Sequence, residues 1–330
     1  MKKTILILFL SIALVFLVIN YAYMDNGVKW EEEWPNAIKI GTSTIGGGFY
    51  MGGSAIANVL AKVYPKLDVT VEETKASVHN IQLMENDSID LGMATTDTTW
   101  EAWNGKGDFE GKEYRNFRIL MPAWSAPYLW ATLEKYSDIN SVRDFAGKKI
   151  VPVRKGSATD VFARKVLETL NIDAEVLNIA SADAVQSLKI GTIQGFVQAH
   201  PSTAMQDLAM TIPTKMLGLS GKDAEIFIKE HPEFNYPLTV PAGYYKGQDE
   251  ELNTVGMYDL IIVRADLPED LVYAIVKAVY ENADIVKDTW PIMAKEMQPE
   301  YLKVLGVPLH PGSVKYYKEI GVEIPQKLIY

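Results

Sequence analysis

The chain has 330 residues, 48% of them hydrophobic, and this length suffices for two domains of ordinary size. It has no cysteine, which excludes disulfide bonds, thiolate metal sites and a lipid-modified cysteine anchor. Its 42 acidic and 32 basic residues give a net charge of −10, which argues against nucleic acid as a partner. Its four histidines lack the spacing of a zinc motif, so we expect no metal and no cofactor.

Residues 1–24 have the pattern of a targeting segment. Lys2 and Lys3 precede an apolar run from Ile5 to Ile19, as in a secretory signal. No good cleavage site follows, and about 20 residues could span a bilayer. The segment is therefore either a signal peptide cut inefficiently near Ala22 or an uncleaved signal anchor. Both interpretations predict a periplasmic or otherwise extracytoplasmic body, and the second adds membrane contact through residues 5–24.

A hydroxyl- and glycine-rich loop follows the first predicted strand and opens the first predicted helix, residues 49–63. Glycine lets the backbone approach a ligand closely, and the free N–H groups of a helix start attract anions. The loop therefore predicts a site for a carboxylate or another small anion. It matches neither the P-loop nor the dinucleotide fingerprint. The alternative is a glycine-rich turn without a ligand. Its hydroxyl residues are Thr42, Ser43 and Thr44, followed by Gly46, Gly47 and Gly48.

Strands alternate with helices along the rest of the chain, which predicts an α/β architecture with parallel sheets. The predicted strands are 38–40, 69–73, 91–94, 117–121, 129–133, 149–153, 175–179, 195–198, 215–219 and 259–263. Further helices are predicted at 78–85, 159–170 and 182–189, and residues 270–330 are helical in pattern. Ligands bind beyond the carboxyl ends of the strands in such sheets, where the first loop lies.

Two turn-rich stretches divide the chain, one at Ala126–Pro127 and one from Pro241 to Glu251. We predict a first lobe from residues 36–127 and 250–330 and a second lobe from residues 128–249. Each lobe is expected to hold a mainly parallel sheet flanked by helices. Two crossings between the lobes would form a hinge with a cleft between them.

A second glycine-hydroxyl turn, with Gly156, Ser157 and Thr159, follows the predicted strand 149–153 and opens another helix. Ser157 or Thr159 could serve only as the helix N-cap, which is a common structural role. The functional interpretation is a second anion seat that faces the first loop across the cleft. Two such seats, one in each lobe, favour a clamshell binding protein.

Several motifs in a fixed order resemble the TAXI-type substrate-binding subunits of TRAP transporters, which have the type II periplasmic-binding-protein fold. The resemblance covers roughly residues 38–322. It implies an extracytoplasmic receptor that delivers a small organic anion of the glutamate, glutamine or dicarboxylate class to a TRAP membrane permease. The motifs are GTSTIGGGFYMGGSAIA, ETKASVHNIQLMENDSIDLGM, DFAGKKIVPVRKGSAT, PAGYYKGQDEELNTVG, LVYAIVKAVYEN and VPLHPGSVKYYKEIGV.

The resemblance also implies ligand-binding positions in four turns. The chain departs from the family at Lys75, Arg154 and Lys155, which either reach a second carboxylate of the ligand or are solvated charges at the rim. Trp124 is also predicted to contact the ligand, because it ends a predicted strand beside the hinge. Tyr244 is predicted to do so because it lies at the other crossing. The positions carried over are Thr42, Ser43, Thr44, Gly47, Tyr50, Ser77, Asn80, Thr95, Thr96, Asp97, Gly156, Ser157 and Thr159.

An enzyme and a ligand sensor are the two alternatives to the receptor function. A serine hydrolase would show G-x-S-x-G, which the chain lacks, and Asp97 has no partner acid or base at a recognisable spacing. We therefore do not expect an enzyme. A membrane-tethered ligand sensor of the same fold is the closer alternative, and the possible anchor at residues 5–24 motivates it.

Overall fold

The structure, a computed structural model, describes residues 34–43, 45–153 and 155–329. The predicted targeting segment lies outside these ranges, as do the predicted site residues Thr44 and Arg154. Within the described ranges, no helix is long and apolar enough to cross a membrane.

The described residues form one ten-stranded sheet with the strand order β2-β1-β3-β10-β4-β7-β5-β6. Two further strands attach to this path, β8 to β4 and β9 to β10. The strands are β1 (Ala37–Gly41), β2 (Asp68–Glu72), β3 (Leu91–Thr95), β4 (Phe117–Leu133), β5 (Lys149–Val151), β6 (Glu175–Val176), β7 (Gly195–Ala199), β8 (Thr214–Gly218), β9 (Asn235–Val240) and β10 (Leu252–Arg264).

Helices cover the sheet, and most of them follow a strand directly. The helices are α1 (Gly48–Val63), α2 (Ser77–Glu85), α3 (Thr96–Asn104), α4 (Ala158–Thr169), α5 (Ser181–Ile190), α6 (Thr203–Thr211), α7 (Gly221–Glu230), α8 (Glu269–Glu281), α9 (Ala283–Thr289), α10 (Pro291–Glu296) and α11 (Pro311–Glu319). The α/β class predicted from the alternation is confirmed.

The sheet is mixed rather than mainly parallel. Parallel pairing joins β1 to β2 and β3, and joins β5 to β6 and β7. The two long strands β4 and β10 instead run antiparallel to each other and to β3 and β7. The reason is topological, because one long strand leaves the first lobe and the other returns to it.

The two strands predicted at 117–121 and 129–133 are one strand of 17 residues. Two prolines lie within this strand, and each falls where the ladder tolerates it. Pro122 lies at a register shift, since Asp259 pairs with Trp124 and Leu260 with Pro122. Pro127 lies where β4 leaves β10 and begins to pair with β7.

The hydrophobic core changes along both long strands. One core contains buried residues up to Trp124 and from Tyr258 onward, together with Leu238. Two other cores lie on the opposite side of these points, within residues 126–257. The stretch Pro241–Glu251, predicted as the second crossing, is instead the turn between β9 and β10. Along β10 the surrounding core changes between Met257 and Tyr258. The exact lobe limits stay a prediction.

Candidate functional site

A cleft of about 1180 Å³ opens where the cores change, and residues of both lobes line it. Ser43, Ser77 and Thr95 come from the side of β1 and β3. Gly156 and Ser157 come from the side of β5. A cleft of this size and position is typical of a small-molecule site.

Helices of both lobes begin at the cleft, and α1, α2 and α4 are among them. The N-cap residues of α1 and α2 are Gly47 and Ala76, and neither side chain caps its helix. Among the described residues, no N-cap side chain occupies the first N–H groups of these two helices. The third helix, α4, begins after Ser157. Aligned helix dipoles add partial positive charge at these ends, so the arrangement suits a carboxylate.

The second-lobe turn is ordered by Asp160. The Asp160 backbone N–H donates to Ser157 Oγ at 3.2 Å, so Ser157 is the N-cap of α4. The Gly156 N–H donates to Asp160 Oδ2 at 2.9 Å, and Gly156 has φ +77°, a conformation that favours glycine. Ser157 and Gly156 also line the cleft, whereas Thr159 is buried and outside the lining.

Asn80 and Thr42 are buried beneath the first loop and do not line the cleft. Asn80 Nδ2 donates to the carbonyls of Thr42 at 2.8 Å and Met93 at 2.7 Å. Asn80 Oδ1 accepts from Thr74 Oγ1 at 2.7 Å, and the Thr42 hydroxyl donates to the Glu72 carbonyl at 2.7 Å. These bonds tie β1, β2 and β3 together, so both residues hold the loop in place.

The predicted ligand-binding residues in the turn after β3 have two different roles. Thr96 is buried, and its hydroxyl oxygen accepts from the Tyr258 N–H at 3.1 Å and from Asn235 Nδ2 at 3.0 Å. It therefore joins α3 to β10 and β9. Thr95 and Asp97 line the cleft. Asp97 Oδ1 is buried and accepts no hydrogen bond from the residues that the structure describes.

Asp259, which the sequence analysis missed, completes this wall of the cleft. It is 7% exposed and lines the cleft from the middle of β10. The register places it opposite Thr95 on β3 and opposite Trp124 on β4. Burial, followed by repulsion from Asp97 and Glu296, raises the pKa of Asp259 well above its ordinary value.

Burial also raises the pKa of Asp97, and hydrogen bonds from Thr95 and Thr98 oppose this effect only in part. The pKa of Glu101, which lies one helical turn away on α3, is raised as well, again mainly by burial. The inner cleft is therefore rich in carboxyl groups. The sequence-based expectation of an anion-binding cleft did not include this feature.

A lysine bridges the two sides of the cleft. Lys165 of α4 donates to Glu101 of α3 at 3.2 Å and to Glu233 at 2.7 Å. Glu233 is buried, and its Oε1 also lies 3.3 Å from His231 Nδ1. Because α3 and α4 pack in different cores, the Lys165–Glu101 pair spans the cleft.

Aromatic side chains form the apolar wall. Trp124 packs edge to face on Phe49 at 6.4 Å and on Trp290 at 6.0 Å between ring centroids. A Cβ at Gly52 would lie 2.8 Å from the Trp124 ring, so glycine at this position allows α1 to pack closely against the indole. Trp290 Nε1 is buried and donates no hydrogen bond to the part of the chain that the structure describes. Trp124 does line the cleft as predicted, although its strand continues.

The remaining predicted positions lie at the edge of the cleft or away from it. Gly47 and Tyr50 belong to the start of α1 but are not lining residues. Tyr244 is in the β9–β10 turn, where its ring packs on His200 at 4.3 Å, and it does not line the cleft. Lys75 is an exposed lining residue, and Lys155 is exposed outside the lining.

Asp259 carried a signal that sequence reasoning could have used. It is the one acidic residue in the apolar stretch 255–263, where a buried acid needs a reason. Lys165, Glu233 and Trp290 carried no such signal, because they come together only through the tertiary fold.

Comparison with known proteins agrees with this architecture. A TctC solute-binding protein from Polaromonas is 17% identical over 78% of this chain and 88% of its own, with a TM-score of 0.52. The XAC2383 protein from Xanthomonas citri, solved bound to ATP, is 8% identical over 87% of this chain and 96% of its own, with a TM-score of 0.52. The periplasmic aliphatic sulphonate binding protein SsuA from Escherichia coli is 15% identical over 89% and 96%, with a TM-score of 0.46.

The two structures with a TM-score of 0.52 establish the likeness at the level of the fold. The two-lobed α/β architecture of periplasmic solute-binding proteins, expected from the sequence, is confirmed. A family model matches residues 40–321, which is most of the chain and includes both long strands and all walls of the cleft. The chain belongs to the NMT1-like family.

Proposed function

We propose that this protein is an extracytoplasmic solute receptor that binds a small organic anion between its lobes. The ligand class is that of glutamate, glutamine or a dicarboxylate, and the recipient is a TRAP-type membrane permease. The observation that carries the proposal is the cleft, onto which helix N-termini from both lobes open, among them those of α1, α2 and α4. The resemblance to the TAXI family supports the permease as partner.

The cleft chemistry supports a carboxylate ligand. The backbone N–H groups at the starts of α1 and α2 have no side-chain cap, and Ser43 and Ser77 lie beside them in the lining. Hydroxyl and N–H donors aimed at one place bind a carboxylate without requiring a net positive field. The overall charge of −10 does not oppose such binding, because these donors act locally.

Binding would favour closure of the two lobes. A ligand that contacts the α1 and α2 loops on one side and Ser157 on the other makes all its contacts only when the cleft is closed. It therefore shifts the population toward the closed state by its difference in affinity. The Lys165–Glu101 pair spans the same cleft and would add to closure.

The polar groups of the cleft favour binding over catalysis. Ser157 Oγ accepts from a backbone N–H, and His200 Nδ1 lies 3.1 Å from the Tyr245 hydroxyl. Burial lowers the pKa of His200 to about 4, so its ring is neutral near pH 7. These side chains therefore do not form a nucleophile and base pair.

The site of action follows from the N-terminal segment. A signal peptide or signal anchor at residues 1–24 would place the body outside the cytoplasm, and the anchor would keep it beside its permease. A tethered sensor would use the same cleft and differ only in its membrane partner.

A thermal-shift screen of the purified full-length protein tests the proposal. The ligands are L-glutamate, L-glutamine, glutarate, succinate and 2-oxoglutarate, with uncharged sugars as controls. A ligand at a hundred times its Kd stabilises the native state by about 2.7 kcal/mol, or roughly 4 °C in Tm for a chain of 330 residues. We expect a shift of this size with at least one carboxylate and its loss in Ser157→Ala. The absence of a shift with every carboxylate would contradict the proposal.

A further inference from the structure

We propose that His200 contacts the ligand and that its Nε2–H group donates a hydrogen bond to a ligand oxygen. Tyr245 is the positioning residue, because it holds the imidazole in the tautomer that carries this proton. The inference rests on the proposed function, since it assigns one contact in the same cleft to a residue of the second lobe. The sequence analysis did not predict a ligand contact at His200, which directly follows β7.

His200 is held firmly in the wall of the cleft. More than nine-tenths of its surface is buried, yet it belongs to the lining. Its backbone N–H donates to the Pro127 carbonyl at 2.7 Å, where β4 begins to pair with β7. The rings of Tyr244 and Tyr245 pack edge to face on the imidazole, at 4.3 and 5.7 Å between centroids. Both the backbone and the ring of His200 are therefore fixed before a ligand binds.

Tyr245 determines which ring nitrogen of His200 carries the proton. Tyr245 is buried, and its hydroxyl lies 3.1 Å from His200 Nδ1 and accepts from the Ser202 backbone N–H at 3.3 Å. A phenol has one proton to donate, and among the described residues its acceptor is His200 Nδ1. Because buried polar groups are almost always hydrogen-bonded, the hydroxyl donates to Nδ1. The proton of the neutral ring is therefore on Nε2.

The Nε2–H group of His200 is a neutral donor that the protein does not use. Burial, followed by the charge of Lys295, lowers the pKa of His200 to about 4, in agreement with a neutral ring. Among the described residues, Nε2 has no hydrogen-bond partner. A buried polar group without a partner is rare, and this one belongs to a residue of the cleft lining. Its partner is therefore expected to come from the ligand.

Gln198 provides a second donor at the end of the same strand. It lines the cleft two residues before His200, and its Oε1 accepts from Ser181 Oγ at 3.3 Å. Its amide NH2 group has no partner within the described ranges. Because β7 runs parallel to β5, these residues reach the same edge of the sheet as Gly156 and Ser157. The second lobe therefore offers donors from two neighbouring loops.

These donors suit a ligand oxygen, whether it is charged or neutral. A carboxylate oxygen and an amide carbonyl both accept from an N–H group. The neutral imidazole and the Gln198 amide therefore bind either one without an ion pair. The first-lobe wall contains Asp97 and Asp259, whose carboxyl oxygens are acceptors themselves. An oxygen of the ligand is thus better placed beside His200 than beside these acids.

Nitrogen NMR of the full-length protein with isotope-labelled histidine tests the tautomer and the contact together. The chain has four histidines, and the His200 signals are identified by their loss in His200→Gln. We expect a protonated Nε2 and an unprotonated Nδ1 near pH 7, and a shift of the Nε2–H signal when ligand is added. In Tyr245→Phe, both neutral tautomers should be populated. The ligands are L-glutamate, L-glutamine, glutarate, succinate and 2-oxoglutarate.

Titration calorimetry with the same ligands measures the contribution of the contact. His200→Phe keeps an aromatic ring without a donor and should weaken binding of the tightest of them about tenfold or more. His200→Gln keeps an N–H group and should lose less. Tyr245→Phe should weaken binding about threefold or more. Tyr244→Phe is the matched control and should stay within about twofold, because among the described residues Tyr244 contacts the imidazole through its ring alone.

Circular dichroism shows whether each variant is folded, and if His200→Phe is not, the NMR titration of the wild type decides alone. A protonated Nδ1 in the wild type, a His200 signal that ligand does not move, or a folded His200→Phe that binds as tightly as the wild type would overturn the inference. A thermal shift lost in Ser157→Ala would then still support the receptor. If the wild type binds none of these ligands, both proposals fail.

Discussion

Replacing Asn80 by alanine separates a structural role from ligand contact at a position predicted to bind ligand. Asn80 is fully buried, and its side chain makes three hydrogen bonds, to the carbonyls of Thr42 and Met93 and from the Thr74 hydroxyl. Each buried hydrogen bond is worth about 1 kcal/mol net, and an orphaned partner adds to the loss. We therefore expect Asn80→Ala to lower the free energy of unfolding by about 3 kcal/mol.

Urea denaturation measured by circular dichroism gives that free energy. For a protein of 330 residues, the loss corresponds to roughly 4 °C in Tm. Asn80→Asp should cost more, because a carboxylate would face two carbonyl oxygens with no proton to donate. Ser77→Ala, on the same helix, should cost less than about 0.5 kcal/mol, since its hydroxyl is 3.5 Å from its described partner, Thr95 Oγ1.

For ligand affinity we expect the opposite order of effects from the one expected for stability. Asn80 is outside the cleft lining and Ser77 is within it, so folded Asn80→Ala should keep its affinity within about threefold, whereas Ser77→Ala should weaken binding. The reasoning is refuted if Asn80→Ala unfolds within 1 kcal/mol of the wild type, by the scale of a single bond. It is equally refuted if this variant loses affinity without losing stability.

Three further predictions concern the walls of the cleft. Ala76 has φ 67° and ψ −154°, a region that favours glycine, so Ala76→Gly should stabilise the protein by about 1 kcal/mol in urea denaturation, and a loss of stability would contradict this. The folded-state pKa of Asp259 is raised, so its contribution to stability is present below the ordinary pKa of 3.8 and is lost as pH rises. The Tm of Asp259→Asn should therefore increase relative to the wild-type Tm between pH 4 and pH 8. A constant difference between the two Tm values across this range would contradict the burial argument. Lys165→Gln leaves Glu101 and the buried Glu233 without their cation and should cost about 2 kcal/mol by calorimetry, whereas an unchanged Tm would show that the bridge does not form.

Local signals explain which elements could be predicted from the sequence. The helix predicted at 49–63 is Gly48–Val63, and the helix predicted at 159–170 is Ala158–Thr169. Both follow glycine-hydroxyl turns, and in α4 the capping residue, Ser157, stands directly before the helix. The continuity of β4 was not predictable in this way. It depends on the bulge at Pro122, which exists only because β10 lies alongside.

In the candidate site, too, local signals predict some residues, whereas others depend on tertiary neighbours. Ser43, Ser77 and Ser157 line the cleft because loops after strands meet at one edge of a sheet, which the alternation predicts. Asn80 lies in the same motif but points into the core, and sequence spacing alone does not distinguish these directions. Asp259 lies within a strand, so the face that it occupies depends on the register with β3 and β4.

The most direct test of the receptor account is the crystal structure of the protein with L-glutamate, or with the amino acid that gives the largest thermal shift. The account predicts one ligand in the cleft, with its carboxylate at the N-terminal N–H groups of α1 and α2 and near Ser157. A ligand bound elsewhere, or a cleft empty at saturating concentration, would contradict the account.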